Sequence, residues 1–275
     1  MRVSIIAVIN KMENRRIFFE VAYDGTDFAG WQIQPDKMSV QQRIENRLSE
    51  LYVNQPIRIH ASGRTDSGVH ALAQAVTFDA PDYPRIPPGN LQTALNNSLP
   101  DSITIRTAKF AEAPDFHARY SAIGKVYTYV INRGKQLPFN TRYSWHLPKC
   151  RDLCEIRKAA DILTGEHDFS SFTSSKKNID NAVRTIYRIE IDEYEEYLCL
   201  SFVGSGFLYK MVRTLVGALV AAGSGELQAA NFAEILNAED RSKAPRSAPA
   251  NGLFLMKVFY DNDSLDKWEL NQLPF

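Results

Sequence analysis

The chain has only three cysteines in 275 residues, Cys150, Cys154 and Cys199. A set this sparse and odd in number builds no disulfide framework, and a reducing compartment, the cytoplasm, is the expectation. Cys150 and Cys154 are four apart on an expected helix, which would set both thiols on one face. Two ligands with no matching Cys or His pair make a poor zinc site, so small residues facing a core are the favoured reading. Long apolar runs are missing as well: no stretch approaches the roughly 18 residues a membrane span needs. The opening MRVSIIAVINKMENRR holds one short apolar run, Ser4 to Ile9. That is too short for a secretory core, and residues 1–14 read as an extension. Net charge is absent too, with 32 Lys and Arg against 32 Asp and Glu. Taken alone, this balance argues against a nucleic-acid partner, since such domains usually carry a basic excess.

Several common sites are also missing. There is no G-x-x-x-x-G-K-[ST] loop, and Gly204-Ser205-Gly206 lacks the third glycine of a dinucleotide fingerprint. His70, His117, His146 and His167 show no metal-binding spacing, and no G-x-S-x-G elbow occurs. What is present is ordinary globular material, 44% hydrophobic and 23% charged. This composition excludes wholesale disorder, collagen repeats and coiled coil. The length lies between one large domain and two ordinary ones.

The elements mix strands and helices. RIFFEVAY (Arg16–Tyr23) is rich in β-formers and stopped by Asp24-Gly25. Ser39 opens a capping box with Gln42, and Val40, Ile44, Leu48 and Leu51 recur at helical spacing. IRIHA (Ile57–Ala61) and Leu72–Phe78 read as strands around a polar turn. A helix near Asn90–Asn97 and the strand ITIRTAKF (Ile103–Phe110) follow. KVYTYVIN (Lys125–Asn132) is apolar or aromatic on both alternating faces, as a strand covered on both sides would be. The second half has helices expected near Asp152–Leu163, Phe207–Ala222 and Gln228–Leu236. Its strands are expected near Val183–Glu190, Tyr197–Val203 and Leu253–Tyr260. Hairpin-like neighbours among mixed elements indicate α+β rather than doubly wound α/β. The expected division is an extension at 1–14, subdomains at 15–112 and 113–265, and a tail at 266–275.

Two places carry chemistry. In GRTDSGVHA (Gly63–Ala71), glycines bracket Arg64, Thr65, Asp66 and Ser67 between strand-like runs and allow a sharp turn. Arg64 is placed to pair with Asp66 and keep it ionised, as a covalent nucleophile requires. An Asx-turn that merely joins two strands has the same composition. In the helix expected from Phe207, Tyr209, Lys210, Arg213, Thr214 and Gly217 form a single polar stripe. A cation there would meet a carboxylate or phosphate, and Gly204 to Gly206 would present N–H groups to an anion. A structural Arg–carboxylate pair fits that position equally well.

GWQIQP (Gly30–Pro35), GRTDSGVHA, DFHARYSA (Asp115–Ala122), KVYTYVI (Lys125–Ile131) and GFLYKMVRTLVGAL (Gly206–Leu219) occur in the order found in bacterial-type tRNA pseudouridine synthases of the A class. The chain resembles that family over nearly its whole length after about Arg15, including APANGLFLMKVFY (Ala248–Tyr260). The resemblance implies the pseudouridine synthase fold: two similar α/β subdomains around a central mixed, largely antiparallel sheet, with a cleft between them. It also implies isomerisation of uridine to pseudouridine at positions 38, 39 and 40 of the tRNA anticodon stem-loop. No cofactor or metal is implied, and a homodimer is. Asp66 matches the catalytic aspartate, and Arg64 lies in the same motif and would position RNA. Tyr127 matches the tyrosine that packs on the target uracil, and Arg213 the arginine that pairs with the aspartate. Ser67 and Ala73 stand where the family pattern has Ala and Gly. Attack on ribose C1′, attack on base C6 and an assisted glycal route are all compatible with it. A uridine-specific N-glycosidase is an alternative, although no second carboxylate motif accompanies Asp66. An RNA-binding module of the same fold is another.

The neutral total conceals uneven placement. From Ser102 to Lys158 there are eleven Lys or Arg against four acids. Lys176, Lys177, Arg184 and Arg188 face only Asp180, while Glu190, Asp192, Glu193, Glu195 and Glu196 crowd into one acidic turn. Basic surface for tRNA is thus compatible with zero net charge.

Overall fold

The computed structural model describes residues 15–174 and 181–275. The extension at 1–14 and the residues Lys176, Lys177 and Asp180 lie outside them. The fold class is α+β. The chain divides into two compact units, Met1–Ala122 and Ile123–Phe275.

The first unit is built from β1 (Arg16–Tyr23), α1 (Val40–Leu51), β2 (His60–Ala61), β3 (His70–Asp79), α2 (Pro88–Asn96) and β4 (Ile103–Phe110). Strand β1 is antiparallel to β3 on one side and to β4 on the other, and β2 adds to β3. Alternation sends Ile17, Phe19 and Val21 to one face, where Phe19 and Phe78 meet edge to face at 5.8 Å. Helix α1 starts where Ser39 accepts a hydrogen bond from the Gln42 N–H, and it buries Val40, Ile44 and Leu48 as one stripe. On the opposite face, Phe18 packs against Phe116 at 5.7 Å, and the Ala118 N–H bonds Thr77 Oγ1. The segment Asp115–Ala122 therefore covers this side of the first unit's sheet. The strand expected over Ile57–Ala61 is shorter than its sequence suggests. Ile59 gives its N–H to the Glu45 carboxylate of α1, which replaces a ladder bond, and pairing starts only at His60.

The second unit contains β5 (Gly124–Asn132), α3 (Pro138–Thr141), β6 (Trp145–His146), α4 (Leu153–Leu163), β7 (Gly165–Asp168), β8 (Val183–Tyr194), β9 (Tyr197–Gly204), α5 (Met211–Gly223), α6 (Asn231–Asn237), β10 (Leu253–Phe259) and α7 (Asn262–Asp266). Strand β5 lies between β10 and β9, with β8 and then β7 beyond β9, all antiparallel. The short β6 runs parallel to the end of β5, which makes the sheet mixed. Every β5 residue except Lys125 is buried, as its two-sided apolar pattern requires. Helices α4 and α5 pack so closely that a Cβ on Gly223 would lie 2.5 Å from Ile156 Cδ1. The last residues are docked on this unit: Arg188 bonds the Leu265 and Trp268 carbonyls, and the Phe275 ring stacks on Tyr143.

Two sequence expectations need correction here. The helix expected from Phe207 begins at Met211, because Lys210 turns the chain through the left-handed region at φ 57°. Tyr209 and Lys210 thus drop off the polar stripe. The cysteine pair also separates: Cys150 is buried ahead of α4, whereas Cys154 is exposed on it. Their four-residue spacing shares no helix, so the thiols do not converge.

Candidate functional site

The Asp66 turn is fixed from several directions. The Val69 N–H donates to the Asp66 carbonyl at 3.1 Å, closing a four-residue turn. Gly68, its third residue, has φ +79°, the value a type II turn demands there. Gly30 presses on the turn from outside with φ +88°, and a Cβ on it would lie 2.5 Å from the Thr65 carbonyl oxygen. The neighbouring Trp31 N–H donates to that same carbonyl at 3.1 Å. Gly30 and Trp31 are in turn tied to α1, whose Val40 and Gln41 N–H groups donate to their carbonyls. The first turn of α1 is thus linked by backbone to the Asp66 turn.

Side chains complete the cradle. Tyr23, at the end of β1, is hydrogen-bonded to Thr65 Oγ1 at 2.8 Å in a buried setting. Burial pushes the Tyr23 hydroxyl above its ordinary range, so it remains protonated. Gln74 faces the apolar side opposite Val21 and is fully buried. It accepts from Ser62 Oγ at 2.7 Å and donates to the Gly63 carbonyl at 2.8 Å, anchoring the start of the turn. Ser67 donates to the Phe28 carbonyl at 3.0 Å, a bond that alanine at this position lacks. Asp66 itself is half-buried, with a buried residue, Thr65, before it and an exposed one, Ser67, after it. Arg64 is exposed, and its guanidinium does not close on the Asp66 carboxylate as the spacing suggested.

In the second unit, Tyr127 sits on β5 between Leu255 and Phe202, 8% exposed. The Phe207 ring meets it edge to face, centroids 5.3 Å apart. Tyr129, two residues along on the same strand face, donates its hydroxyl to the Pro249 carbonyl at 2.9 Å. Burial raises the Tyr129 hydroxyl's pKa, and the nearby Arg213 charge opposes that shift. Tyr129 and Arg213 hold adjoining carbonyls, those of Pro249 and Ala248. Arg213 is the one incompletely buried residue of α5 between Met211 and Gly223. Its Nε donates to the Ala248 carbonyl at 2.8 Å, and the Ala248 N–H donates back to the Arg213 carbonyl at 2.8 Å. Gly217, one turn on, leaves the room: a Cβ there would lie 2.0 Å from the Arg246 carbonyl oxygen. Thr214 bonds Ser247 at 2.8 Å along the same seam.

The stripe on α5 is thus a docking seam for the 246–248 segment that clamps Arg213. The expected anion cradle at Gly204 to Gly206 is not formed. Gly204 is paired within β9, and Ser205 gives its N–H to the Thr185 carbonyl. The helix starts several residues later, so those amides do not cap it. Sequence reasoning left Tyr23, Gly30, Trp31, Gln74 and Ala248 without roles. The signal for the second and third was the G-W pair of GWQIQP, whose purpose lies in its reach to a loop some 35 positions away. Among the described residues, no group of three or more His, Cys, Asp or Glu could hold a metal ion, and no helix is long and apolar enough to cross a membrane.

The chain matches a family model described as tRNA pseudouridine synthase over residues 20–121 and 159–261. It is 40% identical over 250 residues to a tRNA pseudouridine synthase A of Geobacillus sp. (strain WCH70), covering 90% of this chain and all of that one. The tRNA pseudouridine synthase A of Anoxybacillus flavithermus is 43% identical over 249 residues, again with 90% and 100% covered. That of Protochlamydia amoebophila, named tRNA pseudouridine synthase A 1, is 42% identical, with 89% and 96% covered. A solved structure titled as a Cbf5-Nop10-Gar1 complex aligns with 87% of this chain and 58% of that one, at a TM-score of 0.36 and 12% identity. With the family model spanning both compact units, this chain belongs to the tRNA pseudouridine synthase family, a family of isomerases.

Proposed function

We propose that this protein converts uridine to pseudouridine in the anticodon stem-loop of tRNA, at positions 38, 39 and 40, with Asp66 as the covalent nucleophile. The observation that carries this reading is the Asp66 turn. Its backbone is held by Gly30, Trp31 and Gln74 and its Thr65 side chain by Tyr23, while the aspartate itself stays only half-buried. A carboxylate so placed can reach a substrate without moving its own support, which is where preorganisation lowers a barrier.

The reaction balances within the substrate. The N1–C1′ bond breaks, a C5–C1′ bond forms, the proton on C5 leaves, and N1 gains a proton. No electrons are exchanged, so the protein must supply a nucleophile, a base and a surface for the loosened uracil. Asp66 is the nucleophile. Tyr127, nearly buried on β5 and braced by Phe207, offers the ring face for uracil and the hydroxyl for proton transfer. Arg213, clamped to Ala248, supplies the fixed cation for the aspartate, and the exposed Arg64 supplies one for RNA phosphate. The target nucleotide must first leave its stack at a cost of a few kcal/mol, and stacking on Tyr127 offsets roughly 1–3 kcal/mol of it. The homodimer implied by the family resemblance belongs to the same proposal.

The deciding experiment is Asp66→Asn with pseudouridine mapped in tRNA. The variant is expected to unfold at the parent's temperature and bind tRNA, yet form no pseudouridine. Normal product would remove the nucleophile role, and release of free uracil by the parent would point to hydrolysis instead.

A further inference from the structure

The first unit carries a second cluster that the reaction above does not use. His60 of β2, His117 and Tyr120 form a ladder of rings. The His60 and His117 centroids are 5.4 Å apart, and those of His117 and Tyr120 are 4.5 Å apart, with tilts of 43° and 38°. The Arg119 guanidinium lies 5.6 Å from the Tyr120 ring centre. Tyr120 is 76% exposed, and His60 and Arg119 are exposed as well. A tyrosine this open gains little from burial, so its contribution to folding is small.

The local chain nevertheless holds the ring in place. His117 gives its N–H to Ser121 Oγ at 3.0 Å, and the Ser121 N–H returns to the His117 carbonyl at 3.0 Å. The N–H groups of Arg119 and Tyr120 both point at His117 Nδ1, at 3.0 and 3.4 Å. Nδ1 is therefore the acceptor, and the imidazole proton belongs on Nε2. Burial, followed by the neighbouring His60, Arg16 and Arg119, lowers the His117 pKa and favours this neutral form. The turn is bolted to the sheet by Ala118 on Thr77 and by Arg16 Nη1 on the Phe116 carbonyl at 3.2 Å. The outcome is an exposed aromatic surface, held in place by backbone hydrogen bonds, with the Arg119 guanidinium at its edge. Single-stranded RNA is bound by that combination, because every base has a π-face and every linkage a phosphate.

We propose that Tyr120, backed by His117 and His60 and flanked by Arg119, is an RNA-contact site that stacks an unpaired base of the tRNA substrate while Arg119 takes the adjoining phosphate. The inference rests on the pseudouridine synthase reading for the identity of the RNA. Its location suits that role: Asp66 lies six positions after His60, so their Cα atoms are at most ~22 Å apart. At the 3.4 Å rise of a stacked strand, that distance spans about six nucleotides, within a single stem-loop. Stacking is indifferent to base identity, so the site supplies affinity and register.

The test compares Tyr120→Ala, Tyr120→Phe and Arg119→Ala with the parent, using unmodified tRNA transcripts and thermal unfolding as the control for folding. Tyr120→Ala is expected to raise Kd and KM by about tenfold, with the loss falling on KM rather than kcat. Tyr120→Phe keeps the ring and restores parental values. Arg119→Ala lowers the salt slope of binding by about one. Irradiating a complex with 5-iodouridine-substituted tRNA should crosslink Tyr120. A Tyr120→Ala protein that binds as the parent does overturns the proposal, as does a Tyr120→Phe protein as weak as the alanine variant. Failure of the enzyme reading is separate, since then the parent itself makes no pseudouridine. A ladder that still binds tRNA in that case stands as an RNA contact.

Discussion

The nucleophile role proposed for Asp66 requires a carboxylate held at the distance where attack begins, and here backbone contacts from Gly30 and Trp31 do much of the holding. Gly30 is the clearest case. Its φ of +88° is a region alanine enters at about 1–2 kcal/mol, and a Cβ would press on the Thr65 carbonyl at 2.5 Å. Gly30→Ala is therefore expected to lower stability by about 1–3 kcal/mol in urea unfolding. It should also reduce kcat on the order of 100-fold, because displacing the Asp66 turn by even an ångström misaligns the attack. A fully active Gly30→Ala protein would show that the turn is not under this constraint. Tyr127 is tested by removing one atom. Tyr127→Phe leaves the ring against Phe207 and so leaves stacking intact, while turnover falls by about 10²-fold or more if the hydroxyl transfers a proton. Unchanged turnover would confine Tyr127 to stacking. Ser67 and Gln74 show how much a residue's role depends on what faces it. Both are ordinary polar residues in the sequence, and both become anchors only because a carbonyl lies within reach.

At the scale of elements, the sequence was most legible where periodicity and termination signals agree. The Ser39 cap, the Val40–Ile44–Leu48 stripe and the two-faced apolar pattern of β5 were all readable, because they arise from local geometry. Boundaries set by distant partners were not. The Ile57–Ile59 stretch looks like a strand but gives a backbone N–H to Glu45, and α5 begins at Met211 because Lys210 adopts a left-handed conformation. The stripe on α5 is polar as its spacing implies, and its Arg213, Thr214 and Gly217 meet the 246–248 segment. Gly217→Ala tests that assignment. Alanine would favour the helix by up to about 1 kcal/mol, but its Cβ would meet the Arg246 carbonyl at 2.0 Å. The expected net result is destabilisation of about 1–3 kcal/mol in urea, with activity falling as the Arg213–Ala248 clamp loosens. An unchanged unfolding midpoint would mean that the segment yields freely.

For the whole molecule, the informative quantity is where charge lies, not its sum. Some of the basic excess between Ser102 and Lys158 is neutralised locally, by Glu112 on Lys109, Glu155 on Lys158 and Glu193 on Arg133. Arg64, Arg106 and Arg119 remain at the surface. Affinity for tRNA is expected to fall linearly on a log–log salt plot, by roughly 0.7 to 0.9 of a unit per phosphate contact, despite a formal charge of zero. Filter binding at several salt concentrations measures it, and a flat line would contradict an electrostatic interface.

The amino-acid sequence by itself determined the fold class and the family, and it singled out the residues proposed for the chemistry, Asp66, Arg64, Tyr127 and Arg213. Hydrophobic periodicity and the order of the motifs are properties of neighbours along the chain, so they survive without coordinates. Only the tertiary structure decided what supports those residues. Gly30 against Thr65, Tyr23 on Thr65, Gln74 on Gly63, Arg213 on Ala248 and His60 beside His117 join positions far apart in sequence. Hydrogen bonds and steric contacts act over a few ångströms in space, and a one-dimensional pattern records none of those distances.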